Sequence, residues 1–143
     1  MIVKKHLILP YTAAQMFDLV NAIEEYPTFL PYCQEAIVYT RSDEAIKAKI
    51  CLAKGGVQYA FTTLNRLQKN QKIEMNLIEG PFKTLSGIWQ FSDLATGGVS
   101  IQLDLNFSFS SKLLNLSMSP FVPLISHRLI EAFTMRASDL YAD

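Results

Sequence analysis

The side chains that could do chemistry in this 143-residue sequence are few: His6 and His127, Cys33 and Cys51, the carboxylates Glu24, Glu25 and Glu79, and Arg136. The histidines stand far apart, His6 in an early apolar run and His127 on the polar side of a C-terminal helix, so they make no ligand pair. Without closely spaced His and Cys, no metal site is expected. Cys33 follows two prolines in a loop. A reactive thiolate there would need a cation or a helix N-terminus beside it, and none adjoins it in sequence. It reads as a small buried hydrophobe, and the two cysteines as free thiols in a reducing, cytoplasmic setting. Glu24 and Glu25 form the solvated side of a short turn. Glu79, before Gly80-Pro81, is a loop carboxylate facing water, with an inward turn as the alternative. Gly55-Gly56 and Gly97-Gly98 lie at hairpin turns and not at helix starts, so there is no phosphate loop. With no nucleophile beside a base and no metal, the chain reads as a non-enzymatic protein that needs no cofactor.

Arg136 stands apart because of the element that carries it. From Pro120 to Tyr141, at about 100° per residue, Val122, Ile125, Leu129, Ile130, Ala132, Phe133, Ala137, Leu140 and Tyr141 fall in one arc of roughly half the circumference. His127, Glu131, Thr134 and Ser138 take the other side. This is a long amphipathic helix laid on something large, with Ser119 as N-cap and Pro120 at its first position. Pro123 removes an early ladder bond and would bend the first turn. Arg136 is the one charge inside the arc. Either it snorkels to solvent near the helix end, or its guanidinium enters the space beneath and donates to a ligand oxygen.

Everything upstream supplies the surface under that helix. Ile2–Leu9 is a strand stopped by Pro10. Thr12 stands three residues before Gln15, a capping-box spacing, and Met16, Phe17 and Val20 form the stripe of a short helix ending near Asn21. A further turn over Ile23–Tyr26 is halted by Pro27, with Pro31 close behind. Period two then takes over in antiparallel hairpins: Ala36–Arg41; Ile46, Ala48, Ile50 and Leu52; Val57, Tyr59, Phe61 and Thr63; Ile73, Met75 and Leu77; Leu85, Gly87, Trp89 and Phe91; and Ile101 to Phe109, which alternates without a fault. Turns fall at Ser42–Glu44, Gly55-Gly56, Lys69–Gln71, Glu79–Pro81 and Thr96–Gly98. The result is a single α+β domain over residues 1–143, one sheet face covered by the last helix, with a gap wherever facing side chains are small, as at Gly87.

Half of the residues are hydrophobic and 18% charged, and mean hydropathy is +0.16, more apolar surface than a plain core requires. Thirteen basic and thirteen acidic residues cancel, so no global field draws the chain to DNA or anionic lipid. Locally, Lys47, Lys49, Lys54, Arg66, Lys69 and Lys72 gather on consecutive hairpins. They either protect a wet sheet face or form a patch for RNA. Leu113, Leu114, Leu116, Met118 and Phe121 lead into the last helix as core, or as a segment making transient membrane contact. No run of 18 apolar residues spans a bilayer, and the N-terminus has no signal-peptide pattern.

Three stretches carry a resemblance that covers essentially the whole chain: Tyr26-Pro27-Thr28-Phe29-Leu30-Pro31-Tyr32-Cys33; Glu79-Gly80-Pro81-Phe82-Lys83-Thr84-Leu85-Ser86-Gly87-Ile88-Trp89; and Glu131-Ala132-Phe133 with Arg136 and Leu140-Tyr141. Together they resemble the coenzyme Q-binding, polyketide-cyclase-like branch of the START superfamily. The resemblance implies a helix-grip fold, a curved antiparallel β-sheet wrapped around a long C-terminal α-helix over an apolar cavity. It also implies one of two roles that its motifs do not separate. The first expectation is an isoprenoid, ubiquinone-like lipid held in the cavity in support of respiratory electron transport. The alternative is a toxin of a toxin-antitoxin pair that binds the large ribosomal subunit and blocks subunit association, and a further one is an aromatase or cyclase. For the cavity the candidates are Tyr26, Pro27, Phe29, Leu30 and Pro31 at a stiffened gate, Phe82, Leu85, Trp89, Phe107, Leu129 and Phe133 as walls, and Arg136 as head-group donor.

Overall fold

A computed structural model describes residues 1–54, 56–118 and 122–142. Strand β1 (Ile2–Leu9) leads into helix α1 (Ala13–Asn21), a 3-10 turn (Ile23–Glu25) and the single-turn helix α2 (Tyr26–Phe29). Strands β2 (Cys33–Arg41), β3 (Ala45–Lys54), β4 (Val57–Gln68), β5 (Lys72–Glu79), β6 (Phe82–Asp93) and β7 (Val99–Phe109) follow, then helices α3 (Lys112–Met118) and α4 (Val122–Tyr141). The strands form one antiparallel sheet in the order β1-β7-β6-β5-β4-β3-β2. Sequence neighbours pair throughout, except that the N-terminal strand closes against β7 at the far edge.

Period two decides the faces. In β7 the residues Val99, Ile101, Leu103, Phe107 and Phe109 are buried while Gln102, Asp104 and Asn106 are exposed. The register carries that phase across the sheet: Leu103 opposes Trp89, and Trp89 opposes Ile73, which opposes Leu67. The next row runs Leu105, Gly87, Met75, Asn65 and Ile46. These side chains face α1 and α4 and make one core with Met16, Phe17, Leu19, Val20, Ile130, Phe133 and Ala137. A second, smaller cluster joins Val3, Phe107 and Phe109, with Phe82, Leu85 and Leu114 packed against it.

The capping box at α1 is formed in both directions: the Gln15 amide N–H donates to Thr12 Oγ1 at 3.1 Å and the Thr12 N–H to Gln15 Oε1 at 3.0 Å. The Asp93 carboxylate accepts from the Ala13 N–H at 2.8 Å, placing a negative charge at the positive end of α1 and tying it to the end of β6. Gly80 needs to be glycine, because its φ is +150° and a Cβ there would lie 2.6 Å from Phe61 Cβ.

Several expectations change. Pro27 does not stop a helix; it occupies the second position of α2, where its missing N–H is no loss. The space above Gly87 is no gap, since an added Cβ would come within 2.5 Å of Leu105 Cδ2 and 2.7 Å of Met75 Cε. Among the described side chains of α4 the buried ones are Ser126, Ile130, Phe133 and Ala137, a stripe of about 60°. Leu140 is 49% exposed and Ala132 half-buried, while Thr134, assigned to the wet side, is half-buried and donates to the Ile130 carbonyl at 2.9 Å. Pro123 falls in the first turn of α4. The Ser119 cap, Pro120, Phe121 and Gly55, and the side chains of Lys54, Val57, Met118, Val122 and Ile125, lie outside the described residues.

Candidate functional site

The concave face of the sheet, under α4, is where the predicted site residues converge, and they do so in two groups. At the α1 end, Phe133 on α4 meets Trp89 at 5.3 Å between ring centroids, and Tyr26 and Phe29 at 5.6 Å each. The Tyr26 and Phe29 rings lie 5.9 Å apart, edge to face. Trp89 stacks along β6 on Phe91, which meets Phe17 of α1. These rings form a continuous chain of mostly T-shaped contacts, each contributing about 0.5–1.5 kcal/mol beyond its buried area.

The second group lies at the other end of the strands. Phe82 packs on Phe61 at 5.4 Å, on Phe107 at 6.2 Å and on Phe109 at 5.0 Å, with Tyr59 beside Phe109. Phe107 and Phe109 are buried, but Ile50, Leu52, Tyr59, Phe61, Leu77, Phe82 and Leu85 share the concave face and are only half-buried. These side chains keep accessible surface even though Ile50 and Leu52 pack against the main core and Phe82 and Leu85 against the second cluster.

Of the remaining predicted residues, Leu30 packs at the edge of the main core, Pro31 and Leu129 are half-buried, and Pro27 is exposed. The guanidinium carbon of Arg136 sits 5.3 Å from the centroid of the Phe29 ring, at the flank of α4. A second arginine, which sequence reading missed, reinforces this arrangement: Arg128 donates to the Tyr32 hydroxyl at 3.1 Å. Tyr32 has a φ of +67°, uncommon for a residue with a side chain. One turn-rich segment, Tyr26 to Cys33, is thus held to α4 by Phe133 and by two cations.

Burial sets the ionisation of the polar groups in this segment. The Tyr26 hydroxyl donates to the Val20 carbonyl inside the core, and desolvation pushes its pKa well above the ordinary 10.0, with Cys33 and Glu24 adding to the rise. Burial likewise raises the Cys33 thiol, only partly offset by a backbone hydrogen bond with Glu35, which makes it a poor nucleophile at neutral pH. Among the described residues no three His, Cys, Asp or Glu side chains come together as a metal would require.

The feature least visible in the sequence lies between the two aromatic groups. Thr63 and Asn65 of β4 are each 5% exposed, and the Thr63 hydroxyl donates to Asn65 Oδ1 at 2.9 Å. Both belong to the concave face, opposite Ala48 and Ile46 of β3. The alternation Tyr59, Phe61, Thr63 extends to Asn65, which is the signal that could have found it.

The convex face carries most of the charged side chains of the sheet alongside exposed Ile2, Ile8, Ile37 and Ile78. Lys47 and Lys49 of β3 point away from the buried Ile46 and Ala48, and Arg66 of β4 lies on the same side; Lys72 is engaged with Glu74 at 2.7 Å, and Lys69 is exposed in the β4–β5 turn. Tyr39, 51% exposed, stands on the neighbouring edge strand at a bulge beside Lys47. On α3, Leu113 and Leu116 are each 75% exposed while Leu114 reaches the second aromatic group. Among the described residues no helix is long and apolar enough to cross a membrane.

The chain is 38% identical over 139 residues to the ribosome association toxin RatA of Pseudomonas aeruginosa, covering 97% of this chain and 96% of that one. It is 23% identical over 137 residues to the mitochondrial coenzyme Q-binding protein COQ10 of Dictyostelium discoideum, covering 93% and 67% respectively. The structure of the Zhui aromatase/cyclase from Streptomyces sp. R1128 superposes with a TM-score of 0.86 over 99% of this chain and 96% of that one; at 13% identity this likeness shows the shared fold alone. A family model described as polyketide cyclase / dehydrase and lipid transport matches residues 9–134, and with the helix-grip architecture in place this chain belongs to that family.

Proposed function

We propose that this chain associates with the ribosome, in a cytoplasmic setting, in the manner that gives its RatA relatives their name. The observation that carries this reading is the 38% identity to the Pseudomonas protein across nearly the full length of both chains. It moves the ribosome ahead of the quinone, which stood first in the sequence reading. The mechanism it favours is occupancy: a protein that holds a surface of the large subunit keeps the small subunit off without any catalytic step. Lys47, Lys49 and Arg66 on the convex face are the groups suited to rRNA phosphates, and the exposed Tyr39 ring beside them offers a stacking surface.

The test is sedimentation. Added protein should shift joined ribosomes toward free subunits, more weakly as salt rises, and the triple variant Lys47→Glu, Lys49→Glu, Arg66→Glu should lose the effect at unchanged fold. Unchanged profiles at excess wild-type protein would reject the reading.

A second reading concerns the concave face. Its half-buried apolar lining and the COQ10 relative favour an apolar ligand such as an isoprenoid quinone. Organic extraction of protein purified from a quinone-producing host should release quinone at a substantial fraction of one per chain. Extracts free of it, with no uptake of added quinone, would rule it out. An aromatase or cyclase reading needs an acid and a base lining the same face, and the buried polar side chains among the described residues are Thr62, Thr63, Asn65 and Ser126.

A further inference from the structure

We propose that Thr63 and Asn65 form a polar subsite in the concave face, and that the subsite takes an apolar ring compound carrying a hydroxyl group, a phenol. The proposal rests on the second reading above, in which the concave face receives an apolar ligand, and is independent of ribosome association.

Asn65 is 5% exposed and its side chain has one protein partner, the Thr63 hydroxyl at 2.9 Å, which satisfies Oδ1 alone. Nδ2 keeps two N–H groups with no partner among the described residues. Fully occluded, unpartnered side-chain atoms among those residues belong only to Asn21, so Nδ2 of Asn65 faces accessible space and not packed atoms. Its cross-strand neighbours on either side, Ile46 and Met75, offer it no hydrogen bond. An apolar residue would complete that row with no desolvation cost, so packing gives no reason for an amide here.

The chemistry of the ligand follows from what the pair presents. Asn65 Nδ2 is a donor, and Thr63 Oγ1, having spent its proton on Asn65, is an acceptor. Turning the amide over exchanges the roles and leaves the same set, one donor and one acceptor side by side. A carbonyl oxygen answers only the donor. A hydroxyl answers both at once, accepting from one group and donating to the other. Along β4 the pair is flanked about 7 Å away on one side by the row of Leu67, Ile73 and Trp89, and on the other by Phe61 with Phe82. A ring whose hydroxyl sits on Asn65 therefore has apolar and aromatic side chains on both sides.

The test uses 4-hexylphenol and hexylbenzene, followed by calorimetry and by the side-chain amide resonances of 15N-labelled protein. Wild-type protein should bind 4-hexylphenol with a shift of the Asn65 Nδ2 protons. Asn65→Leu should weaken that binding about tenfold or more while leaving hexylbenzene within about twofold, and should melt no lower than wild type. Thr63→Val, the milder change, should weaken 4-hexylphenol alone in the same direction. If both compounds bind and neither variant alters the preference, or if saturating 4-hexylphenol leaves the Asn65 amide unmoved, the subsite is overturned and the apolar reading of the face stands. If neither compound binds, both fall together. The amide shift is measured on the unmodified chain, so the outcome does not depend on either variant folding.

Discussion

Replacing Phe133 by alanine is the sharpest test of how α4 is held. The ring is 7% exposed and touches three others, Trp89, Tyr26 and Phe29, at 5.3–5.6 Å between centroids. A buried Phe→Ala change costs about 3–5 kcal/mol through lost transfer energy and the cavity left behind. Three edge-on ring contacts place this site in the upper half of that range, at about 4 kcal/mol. For a domain of this size that corresponds to a fall in Tm of roughly 8–16 °C. Urea denaturation followed by the emission of Trp89, the single tryptophan, should show a lower midpoint with the slope unchanged, and a red shift in the folded baseline as the indole loses its neighbour. Leu129→Ala, at a half-buried position on the flank of the same helix, should cost about half as much or less. A loss below about 1 kcal/mol for Phe133→Ala would mean that the ring borders open space, and that the aromatic chain from Phe17 to Phe29 does not fasten the helix.

Two further outcomes can be checked with the same instruments. Because burial holds the Tyr26 hydroxyl above its unfolded value of 10.0, folded and unfolded chains are both protonated there below pH 10 and the group contributes no pH dependence. Above pH 10 the unfolded chain releases the proton while the folded one retains it, so stability should fall by up to about 1.4 kcal/mol per pH unit, and Tyr26→Phe should flatten that slope. The two tight glycines should differ. Gly80→Ala drives a Cβ into Phe61 Cβ, next to backbone, at positive φ, and should cost more than about 2 kcal/mol, whereas Gly87→Ala meets only the mobile ends of Leu105 and Met75 and should cost clearly less. Equal melting temperatures for the two would refute the distinction.

The strands were legible because one face of the sheet is buried and the other wet, a condition that writes period two into the sequence; β7 is the clearest instance. The capping box was legible because it is local, four residues with their own hydrogen bonds. The phase of α4 was harder. Its apolar residues cover a wider arc than its described side chains bury, so the arc's centre fell toward Leu140 and Ala132, whereas a buried serine, Ser126, carries no hydropathic signal. The same blindness hid Thr63 and Asn65. Both read as polar letters in a hairpin, and a register shift between Thr62 and Thr63 buries two successive residues where alternation allows one. The contact of Arg136 with the Phe29 ring was illegible for another reason: the two are more than a hundred positions apart and no periodicity links them.

The sheet is open at two rims, and they are built unequally. At β2 the pairing with β3 slips twice, between Cys33 and Glu35 and between Val38 and Thr40, and Arg41 anchors the strand's end to Glu24 at 2.9 Å and to the Asn21 carbonyl at 2.8 Å. A rim so kinked offers no straight run of backbone groups for another chain to copy. At β1 the ladder to β7 is unbroken from Ile2 to Leu9, with Ile2 and Ile8 exposed and only Lys4 and Lys5 as charged interruptions. Protection against edge-to-edge aggregation on that side therefore depends on two lysines and not on backbone shape, so it weakens wherever their charge is neutralised, by acetylation, by high pH or by a polyanion lying along the strand.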